Sequence, residues 1–470
     1  MTVERYLEFL NNVKTPYHLG WYLMTQKKLP VVRNLNELKK SGTFVYRPND
    51  TLIFLIKIPE NPDNIRMVVT HSDSPCLKLK GNGIKSILQY IKKETNGDPR
   101  VKMPTELSIP VRPYGGGLFN TFFDRLLVLT GFVVCKIDGK LVKIVVHDMG
   151  TAILPSLPPH LNHNNVYEQG KVKFEINRAI MVNAECESMS IERQGIEALS
   201  DIFMGQELDN GDMIRFKQED IIGHDISLID KQEPVQIGKF IHSGRQDNLL
   251  STFAAVDAIL FDDETIKKNS NDVNQEEKMI GCRNIQVMLA TDFEEIGSEK
   301  LEGAYSHVIR DLWKFLNSKL CDRIVKKPIE GQDDKISDEK KNIEWNENLI
   351  LSADVSHCYN QNFSGHYDPD HKLEFGQSVT IKRSNHYATD AIGEAFINDL
   401  CVKNDIPFSV YENKTGIRGG CTVGSILSCL IGERVIDIGT PVFAMHSARE
   451  MACVDDVSNL SKLFRVFFNQ

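Results

Sequence analysis

Seven side chains able to bind metals or move protons stand at comparable places along the chain. His71 follows the apolar run IRMVVT, with Asp73 two residues on. Asp247 lies in GRQDN, just ahead of a helix-like segment. Glu294 and Glu295 follow NIQVMLA, Asp354 ends NLILSAD, and His446 lies in FAMHSARE after another strand-like run. Each has an ordinary explanation alone: a hydrogen-bonded structural histidine, a helix N-cap, surface charge. Together they carry more weight, because charge at apolar strand ends is costly unless paired or metal-bound. Zinc accepts imidazole nitrogen and carboxylate oxygen and, in catalytic sites, leaves a position for water. Two such ions side by side need a bridging carboxylate and can clamp a water and a carbonyl oxygen. Adjacent Glu294 and Glu295 point different ways, so one can ligate while the other takes a proton from water. Asp73 can hold the far nitrogen of His71 and so fix its tautomer.

The elements needed to position these groups are visible as well. Tyr6, Phe9, Leu10 and Val13 repeat at helical spacing and predict an opening amphipathic helix. TLIFLIKI (51–58) and IRMVVT (65–70) predict two strands joined by a turn with Pro62 and Asn64. From about 76 to 235 the runs become short and strand-like, with one acidic helix-like stretch near 192–207. That span predicts a mostly β module inserted into a discontinuous catalytic domain, 1–75 plus 236–470. After 236, strands and helices alternate: a helix at 249–260, a strand at 284–290, a helix from about 297 to 318, a strand at 348–354, helices near 388–401 and 422–431, and a strand at 434–439. Near-continuous apolar strands alternating with helices predict an α/β fold, with a largely parallel central sheet covered on both faces. Catalytic groups in such sheets gather beyond the carboxyl ends of the strands. The charged stretches 262–279 and 322–347 predict solvated loops.

Composition narrows the function. The chain has 470 residues, 41% hydrophobic and 25% charged, and a formal net charge of −9. With no clustered Lys and Arg, nucleic acid and anionic membrane are not expected partners. No apolar run approaches the roughly 20 residues that span a bilayer. The ten cysteines are irregularly spaced with no CxxC pair, which predicts reduced thiols in a cytoplasmic compartment.

Eight sequence blocks in order carry a resemblance: TPYH (15–18), THSDSP (70–75), YGGGLFNTFFDR (114–125), GRQDN (244–248), DFEEIGS (292–298), SADVSH (352–357), NHYATD (385–390) and AMHSAREMA (444–452). The chain resembles the aspartyl aminopeptidase family of cocatalytic metallopeptidases, which form tetrahedral dodecamers. The resemblance spans about residue 1 to 468. It implies two divalent ions, zinc first, with His71, Asp247 and Asp354 at one and Asp247, Glu295 and His446 at the other. Asp247 would bridge, Glu294 would be the general base, and Tyr387 would polarise the substrate carbonyl. The 76–235 module would be a dimerisation domain whose His160 reaches the neighbouring subunit's active site. The implied partners are peptide substrates and further copies of the chain, with vacuolar delivery as cargo a further option.

The chain also departs from the family. Thr380 stands where members commonly carry a Lys that pairs with an acidic substrate side chain. Lys382 would share its strand face, and Arg418 adds a charge in the glycine-rich NKTGIRGGCTVGS segment. Strict selectivity for N-terminal Asp and Glu is therefore not expected. Spacing alone leaves open a related two-metal carboxypeptidase or N-acyl amino-acid deacylase, and an assembly-forming scaffold or cargo protein of weak activity.

Overall fold

The computed structural model describes residues 2–38, 41–81, 83, 108–137, 139–161, 176–183, 190–191, 214–215, 220–269, 283–324, 348–377, 379–417 and 419–470. Its frame is a nine-stranded sheet in the order Val31–Val32, Gly42–Tyr46, Ile53–Ile58, Asn284–Thr291, Asn64–His71, Leu349–Ala353, Val435–Gly439, Val379–Arg383, Phe408–Glu412. The four strands at its heart, Asn284–Thr291 through Val435–Gly439, run parallel. Their residues are buried almost throughout, as apolar strands sandwiched between helices must be. Side chains alternate across the sheet, so Val68 joins one core while Met67 and Val69 join the other. Helices Thr2–Asn12, Gln246–Asn269, Ala391–Lys403 and Val454–Asn469 pack on the first face; His307–Ile324 and Val423–Ile431 pack on the second.

The strands at 53–58 and 64–71 are joined by a short turn, yet they do not pair, because Asn284–Thr291 inserts between them, antiparallel to one and parallel to the other. Two expectations need correcting. The helix expected from 297 starts only at His307. Before it, Gly297 turns the chain at φ 99°, and a Cβ at Gly303 would lie 2.1 Å from the Ser298 carbonyl oxygen, so the segment folds back on itself. The helix entered near 249 continues to Asn269, so the first charged stretch begins as helix. Charge does not end a helix, and Glu and Lys are good helix formers. The rest of that stretch beyond 269, most of 322–347, and the acidic segment 192–207 lie outside the described residues.

A second, wholly antiparallel sheet has the order Ile221–Asp230, Cys76–Leu79, Ser108–Tyr114, Arg178–Asn183, Thr151–Ile153, Leu126–Ile137, Lys140–Val146. Leu126–Ile137 also pairs with Ile221–Asp230, closing the sheet into a ring around its own apolar core. Gly131 permits that closure, since a Cβ there would sit 2.2 Å from the Asp225 carbonyl oxygen. The ring docks on the frame through Tyr17 stacked on Phe132, with centroids 4.4 Å apart, and a 2.6 Å ion pair between Lys143 and Asp50. Among the described residues the cysteines form no disulfide, and no helix is long and apolar enough to cross a membrane.

Candidate metal centre and active site

The carboxyl ends of the parallel strands meet at one crevice. Asn64–His71 delivers His71, Asn284–Thr291 leads to Glu294 and Glu295, and Leu349–Ala353 leads to Asp354. A small sheet supplies the rest. Phe240–Ser243 pairs with Glu450–Cys453, which brings Asp247 and His446 together from opposite ends of the second half. Phe293, Arg245 and His446 have φ values of 63°, 64° and 66°. Non-glycine residues in this left-handed region cluster at functional sites, where surrounding contacts hold them.

Asp247 lies between the two histidines. Its Oδ1 is 3.3 Å from His71 Nε2, and its Oδ2 is 3.1 Å from His446 Nε2. His71 Nε2 is also 3.5 Å from Asp354 Oδ1, and His446 Nε2 is 3.5 Å from Glu295 Oε1. Two triads result, His71–Asp247–Asp354 and Asp247–Glu295–His446, each with ligand atoms within 4.8 Å of one another. Glu294 Oε2 stands 3.9 Å from His71 Nε2, and Glu294 is more accessible than Glu295.

The electrostatics fit cations at this place. Asp247 Oδ1, Glu295 Oε1 and Asp354 Oδ1 are buried and accept no hydrogen bond among the described residues. Four carboxylates face two imidazoles here. Burial, then the charge of Asp247, pushes Glu295 up to about 9. Burial foremost, with Asp354 and Asp73 adding to it against the opposing His71, pushes Glu294 up to about 7. Burial opposes protonation of His446, yet Asp247 and Glu295 together raise it to about 10. Divalent cations would relieve this excess of negative charge and occupy the orphaned oxygens.

Backbone contacts hold the ligands. His71 Nδ1 donates to the Asp73 carbonyl at 3.0 Å, with the Asp73 carboxylate farther off at 3.4 Å. The expected His71–Asp73 pairing is therefore made mainly through the main chain. The Asp73 carboxylate instead accepts the Glu294 and Glu295 amides at 3.1 and 3.2 Å and the Tyr114 hydroxyl at 2.7 Å. Glu450 brackets the other triad, accepting the His446 amide at 3.0 Å and the Asp247 amide at 3.1 Å.

The model of the Aminopeptidase I zinc metalloprotease (M18) family matches residues 9–468. The chain belongs to the M18 aminopeptidase family. A probable M18 family aminopeptidase 2 of Ectopseudomonas mendocina is 28% identical, covering 99% of this chain and 98% of the relative. Among solved structures, Ape4 in its complex with Nbr1 superposes with a TM-score of 0.74 at 23% identity, over 100% of this chain and 85% of the other. The mApe1 dodecamer of S. cerevisiae gives a TM-score of 0.67 at 21% identity, over 99% and 95%. These likenesses show the same fold. As an M18 member, the chain is a metallo-aminopeptidase of a zinc-dependent class.

In this M18 aminopeptidase the candidate metal-site residues and Tyr387 line a cavity of about 120 Å³, together with Val355, Ser356, His357, Lys382, Tyr411, Gly420, Cys421, Thr422 and Met445. Lys382 is 3% exposed; its Nζ donates to the Val355 carbonyl at 2.8 Å and lies 3.7 Å from Asp354 Oδ2. Thr380 is buried two residues earlier on the same strand and is not among the cavity's lining residues. His160 is exposed in the turn Pro159–Leu161 and also stands outside the lining. Arg418 lies outside the described residues. Sequence reasoning did not single out Tyr114, Gly116 or Glu450. The signals for them were the YGGG block and a glutamate four residues after His446.

Proposed function

We propose that this M18 aminopeptidase binds two divalent ions, zinc first, and releases N-terminal residues from peptides with Glu294 as general base. The observation that carries this reading is Asp247 between His71 and His446, with one oxygen turned to each. That arrangement supports the bridging role. When bound, the ions would supply Lewis acidity and lower the pKa of water. His71 and Asp354 would hold one ion, and Glu295 and His446 the other. Glu294 keeps a free carboxylate at the cavity, where burial tunes it toward neutral pH, which suits a base that accepts and returns a proton. The Tyr387 hydroxyl is held protonated by burial and by Asp354, so it is a donor for the substrate carbonyl oxygen.

Lys382 supports a mixed side-chain preference. Its ammonium reaches the cavity and so replaces the charge absent at Thr380, but Val355 and Asp354 already share it. Acidic N-terminal residues gain from Lys382 without neutral ones being excluded. The second sheet would mediate dimer contacts within a dodecamer, the assembly that the mApe1 structure forms, and His160 in its exposed turn would serve a neighbouring copy's site. Elemental analysis of active protein tests the core of the reading: two ions per chain is the expected result, and active protein holding one or none refutes it.

A further inference from the structure

Behind the cavity wall lies a carboxylate that the reaction does not touch. Asp437, in the strand Val435–Gly439, is fully buried. Its Oδ2 accepts the Ala388 amide at 2.5 Å, and its Oδ1 accepts the Thr422 hydroxyl at 2.5 Å. Its own amide donates to the Thr389 hydroxyl at 2.9 Å. Ala388 follows Tyr387 directly, and Thr422 ends the Gly420–Thr422 stretch; Tyr387 and that stretch both line the cavity. Thr422 is also the N-cap of helix Val423–Ile431, yet its side chain makes no capping bond. An N-cap hydroxyl ordinarily accepts from the first turn of its helix; here it is turned to Asp437 instead. A Cβ on Gly424 would lie 2.4 Å from Asp437 Oδ1, so the first turn of that helix sits directly on the carboxylate.

We propose that Asp437 is a positioning residue that locks Tyr387 and the Gly420–Thr422 wall together around the substrate carbonyl. It acts through the Ala388 amide and the Thr422 hydroxyl. Ala388 lies 49 residues and Thr422 15 residues before Asp437, and one buried carboxylate with an oxygen for each arm fixes their separation. A buried network of this kind is rigid only while every member is satisfied. The proposal rests on the reading that Tyr387 donates to the reacting carbonyl.

The test is a double-mutant cycle in the full-length, metal-loaded protein, with kcat and KM measured on an aminoacyl fluorogenic substrate. Tyr387→Phe alone should lower kcat by about 10²-fold, the scale of losing one oxyanion donor. Asp437→Ala should lower kcat by about tenfold with KM and metal content unchanged, and by less than about twofold when Tyr387→Phe is already present. Asp437→Asn should keep kcat within about threefold, because the amide can accept from Ala388 and donate to a rotated Thr422 hydroxyl. If Asp437→Ala does not fold, Asp437→Asn combined with Thr422→Val removes one arm and carries the same cycle. Losses that multiply independently of Tyr387 overturn the role of Asp437 and leave that of Tyr387 intact. Wild-type kcat in Tyr387→Phe overturns the reading of Tyr387, and the proposal with it.

Discussion

Tyr114→Phe tests whether the second sheet contributes to the metal site. The substitution removes one oxygen and keeps the ring, which is buried and carries the Lys78 ammonium 4.7 Å from its centroid. What is lost is the 2.7 Å hydrogen bond from the phenol to Asp73 Oδ2. Burial and the Asp73 charge hold that phenol protonated far above its usual range, so it is a donor at every working pH. A hydrogen bond to a charged group is worth about 1.5–3 kcal/mol, which at about 1.4 kcal/mol per decade is roughly 10- to 150-fold. Asp73 also carries the Glu294 and Glu295 amides, and its carbonyl orients His71. The loss should therefore appear as weaker metal binding, within the roughly 10- to 100-fold typical of outer partners of metal ligands. The assay is zinc competition against a chelator of known affinity, read by residual activity, with kcat measured at saturating metal. Zinc affinity and kcat both within about twofold of wild type would refute the reasoning.

Glu294→Gln should retain both ions by elemental analysis and lose about 10²–10⁴-fold in kcat, the usual cost of removing a general base; wild-type turnover would reassign the base. Lys382→Met should cut kcat/KM for Asp and Glu substrates by about tenfold or more relative to Leu substrates, the scale of one charge-assisted hydrogen bond. An unchanged ratio in a substrate panel would remove Lys382 from side-chain recognition. Burial, with Lys14 adding to it, depresses His147 to about 4, and its ring packs edge-on against His18 and Trp21. Because the folded value lies below the unfolded value of about 6.5, the unfolded chain takes up the proton first. Stability is then complete above about pH 6.5 and is lost as pH falls toward 4. His147→Phe should flatten this part of a Tm-against-pH profile, and an unaltered slope would place the acid sensitivity elsewhere.

The convergence of the candidate metal-site residues was legible because strand ends in a parallel sheet meet whatever their separation in sequence. His71, Glu295 and Asp354 each follow an apolar run that can only be a buried strand. The sheet order was less legible: nothing local in 51–70 announces that Asn284–Thr291 will part its two strands. The contacts that hold the ligands were hidden for a related reason. Asp73 and Glu450 accept from backbone N–H groups, which every residue type but proline carries, so the sequence marks only one partner of each bond. Tyr114 and Asp437 join segments far apart in the chain, and no spacing rule reaches them. The cation near Asp354 was legible as a choice between Lys382 and Arg418; the strand places the lysine in the lining, while Arg418 lies outside the described residues.

The stretch from Tyr114 to Thr121 leaves the second sheet and runs along the candidate metal centre. Tyr114 bonds Asp73, the Gly116 carbonyl accepts His446 Nδ1 at 3.2 Å, the Leu118 amide donates to the His446 carbonyl at 2.8 Å, and the Thr121 hydroxyl accepts the Ala448 amide at 2.8 Å. The glycines let it lie close, since a Cβ on Gly115 would come 3.2 Å from Glu295 Cβ. The ring thus supplies hydrogen bonds to the candidate metal site as well as a fold of its own. Excising it would strip these contacts from Asp73 and His446, so a truncation would confound any effect on assembly with damage to the candidate site. A change in the segment 114–121 can therefore reach His446 without passing through the nine-stranded sheet.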